Sequence, residues 1–582
     1  MVAKVMDKLR QEKTISSALW AAYGDILGFP TELVDQAGVR RRIGKLRSER
    51  PESWKRLVGG RLGVQIDLPA GCYSDDTQLR LSTSRAIRAD GYFDVESFAK
   101  IELPVWLSYS LGAGRGSKVG AASLSQRNAN WFSNFFDQKD VIYTNGGGNG
   151  AAMRIQPHVW AASDLGNPAT YLPEVIQNAL CTHGHPRGIA GAVLHAVLLA
   201  HVLKNEEIPH PSDWKEFGSF ISLSTELIEE NPDLSTFWLP TWNTRTASQF
   251  AEEMERARME WESDVNACQN LIQSGANVYA AIVENLGGLQ AEQRGSGLKS
   301  ALFSLLAAWL YRNLNPQDAI SDVVNLLGSD TDTIGSMAGA LLGAIYPHNI
   351  PEGPIQDMEY IKTEATRIFK ISQEIETSSF TYPDLMQWQP PKTQLDVVGL
   401  NQAGLLVAGL GLAKPISEEY VSPRSEASWQ WLQLAFGQRI LCKRRSNASL
   451  VHTENYAAKY ELNGKRIKLS SADNERSANR KLAAESDLFR KSDEGASADV
   501  AIDRESNQDF FKDRWVKSVA PELARVPTLN EITDEAIRSG FNERVIGAQL
   551  LRFAEEPDGL EKAVGYAAVI VKARAARLKR NG

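Results

Sequence analysis

The chain has 582 residues, of which 43% are hydrophobic and 23% are charged, and its formal net charge is −7. This length predicts two or three domains, and this composition is typical of a soluble globular protein. The negative charge excludes a general electrostatic attraction to nucleic acid or to an anionic membrane surface.

The chain begins with a charged segment rather than a secretory signal. Residues 1–13 lack an apolar h-region, and no uninterrupted apolar run reaches the roughly 18 residues of a membrane span. The four cysteines have no CxxC spacing and are too sparse for a disulfide framework. We therefore expect a cytoplasmic protein without a membrane segment.

Helical periodicity dominates the chain up to about residue 375, and strand signals are rare. One face of the first helix carries Ile15, Leu19, Ala22 and Ile26. Gly28 and Pro30 end this helix. Later, Gly335, Gly339 and Gly343 recur every four residues, which predicts a helix that a neighbour can approach closely. The fold class predicted is all-α.

The composition changes along the chain and suggests several segments. Residues 14–375 form the predicted main domain, and the Trp-rich and charged stretch 205–262 is interpreted as an insertion or lid within it. Residues 376–443 are predicted to connect through Pro-rich loops and a helix at 425–441. The polar stretch 444–507 is typical of a flexible linker, and residues 508–582 predict a helical C-terminal domain.

Two short acidic motifs lie at opposite ends of the main domain. The first is Ser74-Asp75-Asp76-Thr77, and the second runs from Gly328 to Thr333 with Asp330 and Asp332. Each suits an ordinary capped helix start, where a hydroxyl caps and the helix dipole favours acids. Together they supply the hard oxygen ligands that Mg²⁺ or Mn²⁺ prefers. Two such motifs in one chain suggest a metal site assembled from both ends of a domain.

The second motif has a competing interpretation. The Asp-x-Asp spacing of Asp330 and Asp332 also occurs in the nucleophile motif of haloacid-dehalogenase-like phosphatases, which also use Mg²⁺. That motif follows an apolar strand early in its domain. Here residues 323–327 would have to supply the strand, near the end of the domain.

Three other segments carry chemical signals. Residues 24–32 end the first helix in a Gly/Pro-rich turn with Glu32. Residues 145–154 form a glycine-rich turn able to offer backbone N–H groups to phosphate oxygens. Thr182 and His183 precede a buried helix. A glycine-rich turn by itself is a weak signal.

Taken in their order along the chain, the two acidic motifs and these three segments resemble the ADP-ribosylglycohydrolase family. This family includes the dinitrogenase reductase-activating glycohydrolases. The resemblance covers about residues 14–370, and its terminal motif, GSDTDTIGSMAGALLGA, is highly specific. It implies an all-α fold with two metal ions, Mg²⁺ or Mn²⁺, in a cleft. It also implies hydrolysis of the C1 glycosidic bond of ADP-ribose attached to a protein side chain, a nucleobase or a small molecule.

The resemblance assigns roles residue by residue. The implied metal ligands are Ser74, Asp75, Asp76, Asp330, Asp332 and Thr333. The implied substrate-binding residues are Gly147, Gly148, Asn149, Gly150, Met153 and His183. Glu32 lies in a loop that closes over the cleft in some relatives. Glu32 and Asp330 are therefore the candidates for proton transfer or water orientation.

Other functions remain open at this point. The same fold could serve as a non-catalytic ADP-ribose-binding or structural protein, although every motif acid is present. Residues 376–582 could dock a protein partner within a larger assembly, for example in bacterial defence.

Overall fold

The computed structural model describes residues 2–138, 140–275, 278–423, 425–446 and 529–553, and parts of 562–574. The chain divides into two compact units, Met1–Lys465 and Arg466–Gly582. From residue 447 onward, the segment predicted as a flexible linker lies outside the described residues. The predicted domain boundaries stay predictions.

Helices form most of the first unit, so the predicted helical class is confirmed. In the amino-terminal half they are α1 Val2–Gly28, α2 Gln36–Ile43, α3 Asp75–Ala86, α4 Val95–Ser97, α5 Leu103–Trp106, α6 Arg115–Leu124, α7 Gln156–Ala161, α8 Leu172–Leu180, α9 Pro186–Asn205 and α10 Ser219–Glu230. They continue as α11 Leu239–Thr246, α12 Phe250–Gln273, α13 Tyr279–Asn285, α14 Gly297–Leu310, α15 Pro316–Val324, α16 Thr331–Ile345 and α17 Met358–Ser372.

Helices α1 and α16 pack with their backbones almost in contact. A Cβ atom built on Gly339 would lie 2.2 Å from the carbonyl oxygen of Trp20, and one on Gly343 would lie 2.6 Å from that of Ser16. Only glycine leaves room for this approach. The predicted role of the glycine stripe is therefore confirmed.

Helix α9 runs through the core. Within the described residues it is the one helix whose length and mean hydropathy would allow it to cross a membrane, but 89% of its apolar window is buried inside the protein. Interruptions such as His195 and His201 keep the sequence from forming one continuous apolar run.

Two hairpins interrupt the helices. Strands β1 (Trp54–Val58) and β2 (Val64–Leu68) pair antiparallel before α3. Strands β3 (Asp137–Gln138) and β4 (Val141–Ile142) form a shorter hairpin.

The segment predicted to contain a helix at 425–441 is instead an antiparallel sheet, so this prediction is wrong. The strands are β5 Val398–Asn401, β6 Gly404–Val407, β7 Gly411–Pro415, β8 Tyr420–Val421, β9 Ala427–Leu434 and β10 Arg439–Arg445. Gly437, at φ 108°, turns the chain between β9 and β10, where a helix cannot continue. In β9 the apolar residues alternate with polar ones only from Ala427 to Trp431, and the pattern changes phase at Leu432, so the strand signal is short.

The sheet separates two hydrophobic clusters. Trp429, Trp431 and Leu441 join a cluster with Phe29 and the β1–β2 hairpin. Leu432, Leu434 and Ile440, on the opposite face, join the main helical core. The sheet is thus part of the first unit and borders the loop that follows α1.

Buried polar contacts also attach the sheet to the helices. The Arg85 guanidinium donates to both oxygens of Glu102 at 2.7 and 2.8 Å and to Gln438 Oε1 at 2.7 Å. Asp357, buried before α17, accepts from the Arg439 backbone N–H at 2.9 Å and from its Nε at 2.8 Å. Each pair needs the sheet to satisfy a buried charge.

The second unit contains two described helices, α18 Leu529–Arg538 and α19 Glu543–Phe553. Their shared core includes Ile532, Ala536, Phe541, Phe553, Tyr566 and Ile570.

Candidate active site

An acidic cleft forms where the end of α1 meets the first turns of α3 and α16. Asp25, in the last turn of α1, accepts hydrogen bonds from the Ser74 N–H at 2.8 Å and from the N–H and hydroxyl of Thr77 at 2.9 and 2.6 Å. The Ser74 side chain in turn caps α3 by accepting from the Asp76 N–H at 3.4 Å. The start of α3 is therefore fixed to α1.

The start of α16 is also fixed to the end of α1. A Cβ atom on Gly28 would lie 2.3 Å from the Asp332 Cα, and the Thr331 hydroxyl donates to the Gly28 carbonyl at 3.1 Å. The Thr333 hydroxyl lies 3.4 Å from Asp76 Oδ2 and so links α16 to α3. The two acidic motifs predicted to share a site are neighbours.

We expect Gly28→Ala to separate α16 from α1, because the added methyl group would overlap the Asp332 backbone. Thermal unfolding should shift to lower temperature and any hydrolase activity should fall at least about 10-fold, because small misplacements of a reactive group are costly. Gly116→Ala is the control, since nothing lies within 4 Å of its built Cβ atom. Equal behaviour of the two variants would contradict the close approach.

The carboxylates of the cleft destabilise one another. Burial, followed by the negative charges of Glu32 and other acids, raises the pKa of Asp75 and Asp332 well above the ordinary range. Burial and the charges of Asp25 and Asp75 do the same to the pKa of Asp76. One oxygen of Asp76, Oδ1, is buried without a hydrogen-bond partner. Such a group of like charges favours a bound cation.

The donor set fits a hard divalent cation by its chemistry. It consists of carboxylate oxygens and the hydroxyls of Ser74 and Thr333, the ligands typical of Mg²⁺ and Mn²⁺. In the described part of the chain, no three His, Cys, Asp or Glu side chains converge as a preformed metal cage. The buried Asp76 oxygen without a partner and the like charges around it are nevertheless features that a bound cation would relieve. Their roles as ligands remain predictions.

Glu32 lies at the edge of the cleft, in the turn after α1. Burial, and then the charge of Asp330, raises its pKa to about 7, while Arg56 and Arg42 act in the opposite direction. Arg42 donates to the backbone carbonyl of Glu32 at 3.0 Å and to that of Pro30 at 3.0 Å, which fixes the turn. Glu32 thus has a held backbone and a carboxyl able to exchange a proton near neutral pH.

The glycine-rich turn borders the cleft on the side of Asp330. Asn149 Nδ2 donates to Asp330 Oδ2 at 2.9 Å and to the Ser300 hydroxyl at 2.9 Å. The Gly147 carbonyl accepts from the Gly297 N–H at 2.9 Å. A Cβ atom on Gly150 would lie 2.6 Å from the Ser117 hydroxyl. The glycines therefore let the turn lie against its neighbours.

His183 faces this turn as a neutral ring. Burial, and then the charge of Arg154, lowers its pKa to about 3. Arg154 donates to the Thr182 hydroxyl at 2.9 Å, and that oxygen lies 2.7 Å from His183 Nδ1. If Thr182 turns its own proton to Nδ1, the ring proton occupies Nε2, which lies 3.7 Å from the Cβ position of Gly148. The ring can then donate into the cleft.

The remaining predicted residues are also nearby. Met153 Sδ lies 3.9 Å from the Thr333 hydroxyl, and Gly148 bridges to Ser296. The strand that a phosphatase motif requires before Asp330 is missing from this described stretch, because Pro316–Val324 is a helix. The structure therefore gives the competing interpretation no support.

The Trp-rich segment 205–262 packs against the loop that contains His183. Trp242 Nε1 donates to the Gly184 carbonyl at 2.6 Å, and Trp238 Nε1 donates to the Tyr143 hydroxyl at 2.9 Å. Both indoles are buried. Both indoles therefore anchor the core and are not free to stack on a base.

Two residues of the site received no role from the sequence. Asp25 positions α3 through three hydrogen bonds, and Arg80 donates to the hydroxyls of Thr77 at 2.7 Å and Ser336 at 2.8 Å. The Gly-Asp pair that precedes the end of α1 was the available signal for Asp25. Arg80 had none, because a charged residue on a helix ordinarily faces solvent.

Comparisons with known proteins agree with this geometry. The family model of ADP-ribosylglycohydrolase matches residues 6–379. The chain is 26% identical over 192 residues to the ADP-ribosyl-[dinitrogen reductase] glycohydrolase of Rhodospirillum rubrum, covering 33% of this chain and 58% of that protein. It is 26% identical over 292 residues to the ADP-ribosylhydrolase ARH3 of Danio rerio, covering 47% and 70%. This chain thus spans a little over half the length of the Rhodospirillum protein.

A solved structure named ADP-ribosylglycohydrolase-related protein complex aligns with a TM-score of 0.40 at 19% identity, covering 63% of this chain and 99% of that one. The family match extends over well more than half of the sequence and includes every residue of the acidic cleft. The chain belongs to the ADP-ribosylglycohydrolase family.

Proposed function

We propose that this protein hydrolyses the C1 glycosidic bond that links ADP-ribose to another molecule, with two divalent cations, Mg²⁺ or Mn²⁺, in the acidic cleft. The observation that carries the proposal is the contact between Asn149 and Asp330. It joins a glycine-rich turn suited to a diphosphate to a cluster of carboxylates suited to cations. The names of the related glycohydrolases support the same reaction class.

The turn at residues 146–150 would orient the diphosphate. Backbone N–H groups are short, fixed donors, and the absence of side chains at four of these positions lets a ligand approach them. His183, held neutral, would donate Nε2–H to a ribose or phosphate oxygen without adding charge. These contacts would place the distal ribose over the carboxylates.

The acids would then act on the bond. The predicted ligands are Ser74, Asp75, Asp76, Asp330, Asp332 and Thr333. Bound divalent cations would supply Lewis acidity and lower the pKa of a nearby water. The carboxylates would stabilise the positive charge that develops on the sugar. Glu32 or Asp330 would carry out the proton transfer that the hydrolysis requires. Glu32 is the better placed of the two, because Asp330 is engaged by Asn149.

A substrate panel tests the proposal. ADP-ribosylated arginine, serine and nucleic-acid substrates would be incubated with Mg²⁺ or Mn²⁺, and free ADP-ribose would be quantified. Release from at least one substrate that stops in excess EDTA supports the hydrolase. ADP-ribose binding without release from any of them would support the non-catalytic alternative.

Glu32→Gln should separate chemistry from binding. The amide keeps the shape of the side chain but cannot accept a proton, so turnover should fall by about 10²–10⁴-fold. ADP-ribose affinity, measured by calorimetry, should change little. Leu33→Gln is the control, because Leu33 is the exposed neighbour in the same turn. Equal losses of affinity and single-turnover rate would make Glu32 a binding group instead.

Other predictions remain part of this proposal. A cytoplasmic location is supported by four buried, unpaired cysteines. The catalytic domain at 14–375, with its insertion at 205–262, is supported by the extent of the family match. A protein partner for the C-terminal region rests only on the presence of the second compact unit.

A further inference from the structure

A cavity of about 500 Å³ lies beside the acidic cleft, within the first unit. Its walls come from the β1–β2 hairpin, the loop before α6, α6 itself and strands β9 and β10. We call it the basic chamber, because Arg56, Lys118 and Lys443 line it and its described lining contains no carboxylate. Trp429 also lines the chamber, but its indole is almost wholly buried. Strands β9 and β10 lie outside the stretch matched by the family model.

The basic chamber adjoins the acidic cleft directly. Gly112 lines the chamber, and a Cβ atom there would lie 3.0 Å from Asp75 Oδ1. The carbonyl of Leu111, another lining residue, accepts from the Asp75 N–H at 2.8 Å. The Arg56 guanidinium lies 4.6 Å from the Phe29 ring centroid, and its charge acts on Glu32.

The cations of the chamber are arranged to accept an anion. Arg56 stacks on Phe29 and Trp54, yet its Nη1 is buried without a hydrogen-bond partner. Lys443 Nζ lies 5.7 Å from the Trp429 ring centroid, and Lys118 is exposed at the chamber wall. A buried guanidinium nitrogen without a hydrogen-bond partner is costly, and an anionic oxygen relieves that cost.

The two sides of the cleft border different structures, so each side can be assigned to a different part of the substrate. The glycine-rich turn contacts Asp330, whereas the basic chamber adjoins Asp75. If the diphosphate lies on the turn, as the proposed function requires, the group linked to C1 of the distal ribose extends toward the chamber. Repulsion by Arg56, Lys118 and Lys443 would disfavour a cationic arginine there.

We propose that the basic chamber binds a segment of a nucleic-acid strand that carries the ADP-ribose. The strand's phosphates would contact Lys118, Lys443 and Arg56. Contacts between phosphates and Lys or Arg side chains supply most of the sequence-independent binding of a nucleic-acid strand. The net charge of −7 provides no general attraction, so binding depends on this local group of cations.

Binding of a short, fluorescein-labelled single-stranded oligonucleotide to the full-length protein tests the inference independently of hydrolysis. The variants are Lys118→Ala and the double variant Lys118→Ala/Lys443→Ala. We expect the double variant to raise Kd at least about 10-fold at low salt. The slope of log Kd against log salt should fall by about 1.4, because each lost phosphate contact on a single strand contributes about 0.7. Lys118→Ala alone, at an exposed site, should show about half of the slope change.

Lys55→Ala is the matched control. Lys55 precedes Arg56 on β1, but it lines a different cavity and lies 3.6 Å from Asp67. Its removal should leave oligonucleotide affinity unchanged.

Three outcomes would overturn the inference: no binding by the wild type, wild-type affinity in both lysine variants, or equal competition by an acidic peptide of the same charge. Chamber-dependent binding in a protein that releases no ADP-ribose would support the chamber and contradict the proposed function.

Discussion

Asp332→Asn is expected to abolish hydrolysis and, without metal, to stabilise the protein. Burial and the neighbouring acids raise the pKa of Asp332 above its unfolded value, so its ionised form costs stability at neutral pH. A neutral amide removes that cost, and the metal-free melting temperature should rise. Activity should fall at least about 10³-fold, because a metal's contribution to a transition state amounts to several kcal/mol.

The same variant should lose the response to metal. Mg²⁺ or Mn²⁺ should raise the melting temperature of the wild type, because a ligand that binds only the folded state stabilises it. Asp332→Asn should show a much smaller rise. Asp318→Asn, the same change in the exposed first turn of α15, is the control and should behave like the wild type. An active Asp332→Asn protein, or wild-type activity in excess EDTA, would exclude the two-metal site.

Removal of the sheet is expected to have the second large effect. A chain ending at residue 379, where the family match ends, loses β5–β10. Burial of Trp429, Trp431 and Leu441 alone contributes roughly 2 kcal/mol each or more, against a typical total stability of about 5–15 kcal/mol. The truncation also removes Gln438 from Arg85 and Arg439 from Asp357, which leaves buried charges with fewer partners.

This fragment should be insoluble or lack a cooperative thermal transition. A chain ending at residue 446 keeps the sheet and is the matched comparison, so it should unfold cooperatively and retain hydrolase activity. Circular dichroism, light scattering and ADP-ribose release would compare the two fragments. A soluble, cooperatively folded 1–379 fragment would show that the helical domain folds without the sheet.

The acidic motifs were predictable because their chemistry and position coincide. Ser74 and the two acids that follow it predict both a capped helix start and a set of metal ligands. Helix α3 begins directly after Ser74, as the cap predicts. The glycine stripe before Gly343 likewise has one steric meaning, close helix approach. Local patterns of this kind predict the structure correctly because no tertiary contact favours a different structure at these residues.

The sheet was not predictable in the same way. The two faces of β9 enter different hydrophobic clusters, and its apolar alternation changes phase at Leu432, so the pattern that marks a half-buried strand extends only from Ala427 to Trp431. Gln438, the partner of Arg85 beside the sheet, lies 353 residues further along the chain, and Arg439 lies 82 residues after Asp357, so these contacts leave no local signal. The basic chamber arises from the same long-range packing, so only the folded chain brings Arg56 near Lys443.

The close packing of α1 against α16 also constrains when the site can form during synthesis. The first helix leaves the ribosome early, but the helix that contacts its glycines and completes the cleft ends at Ile345. Until then α1 has no partner for this face, and the acids after Gly71 have no second motif beside them. Contacts over such a sequence separation form slowly and leave apolar surface exposed in the meantime. A nascent chain should therefore depend on chaperones at least until Ile345, about three fifths of the way along the chain, has been made.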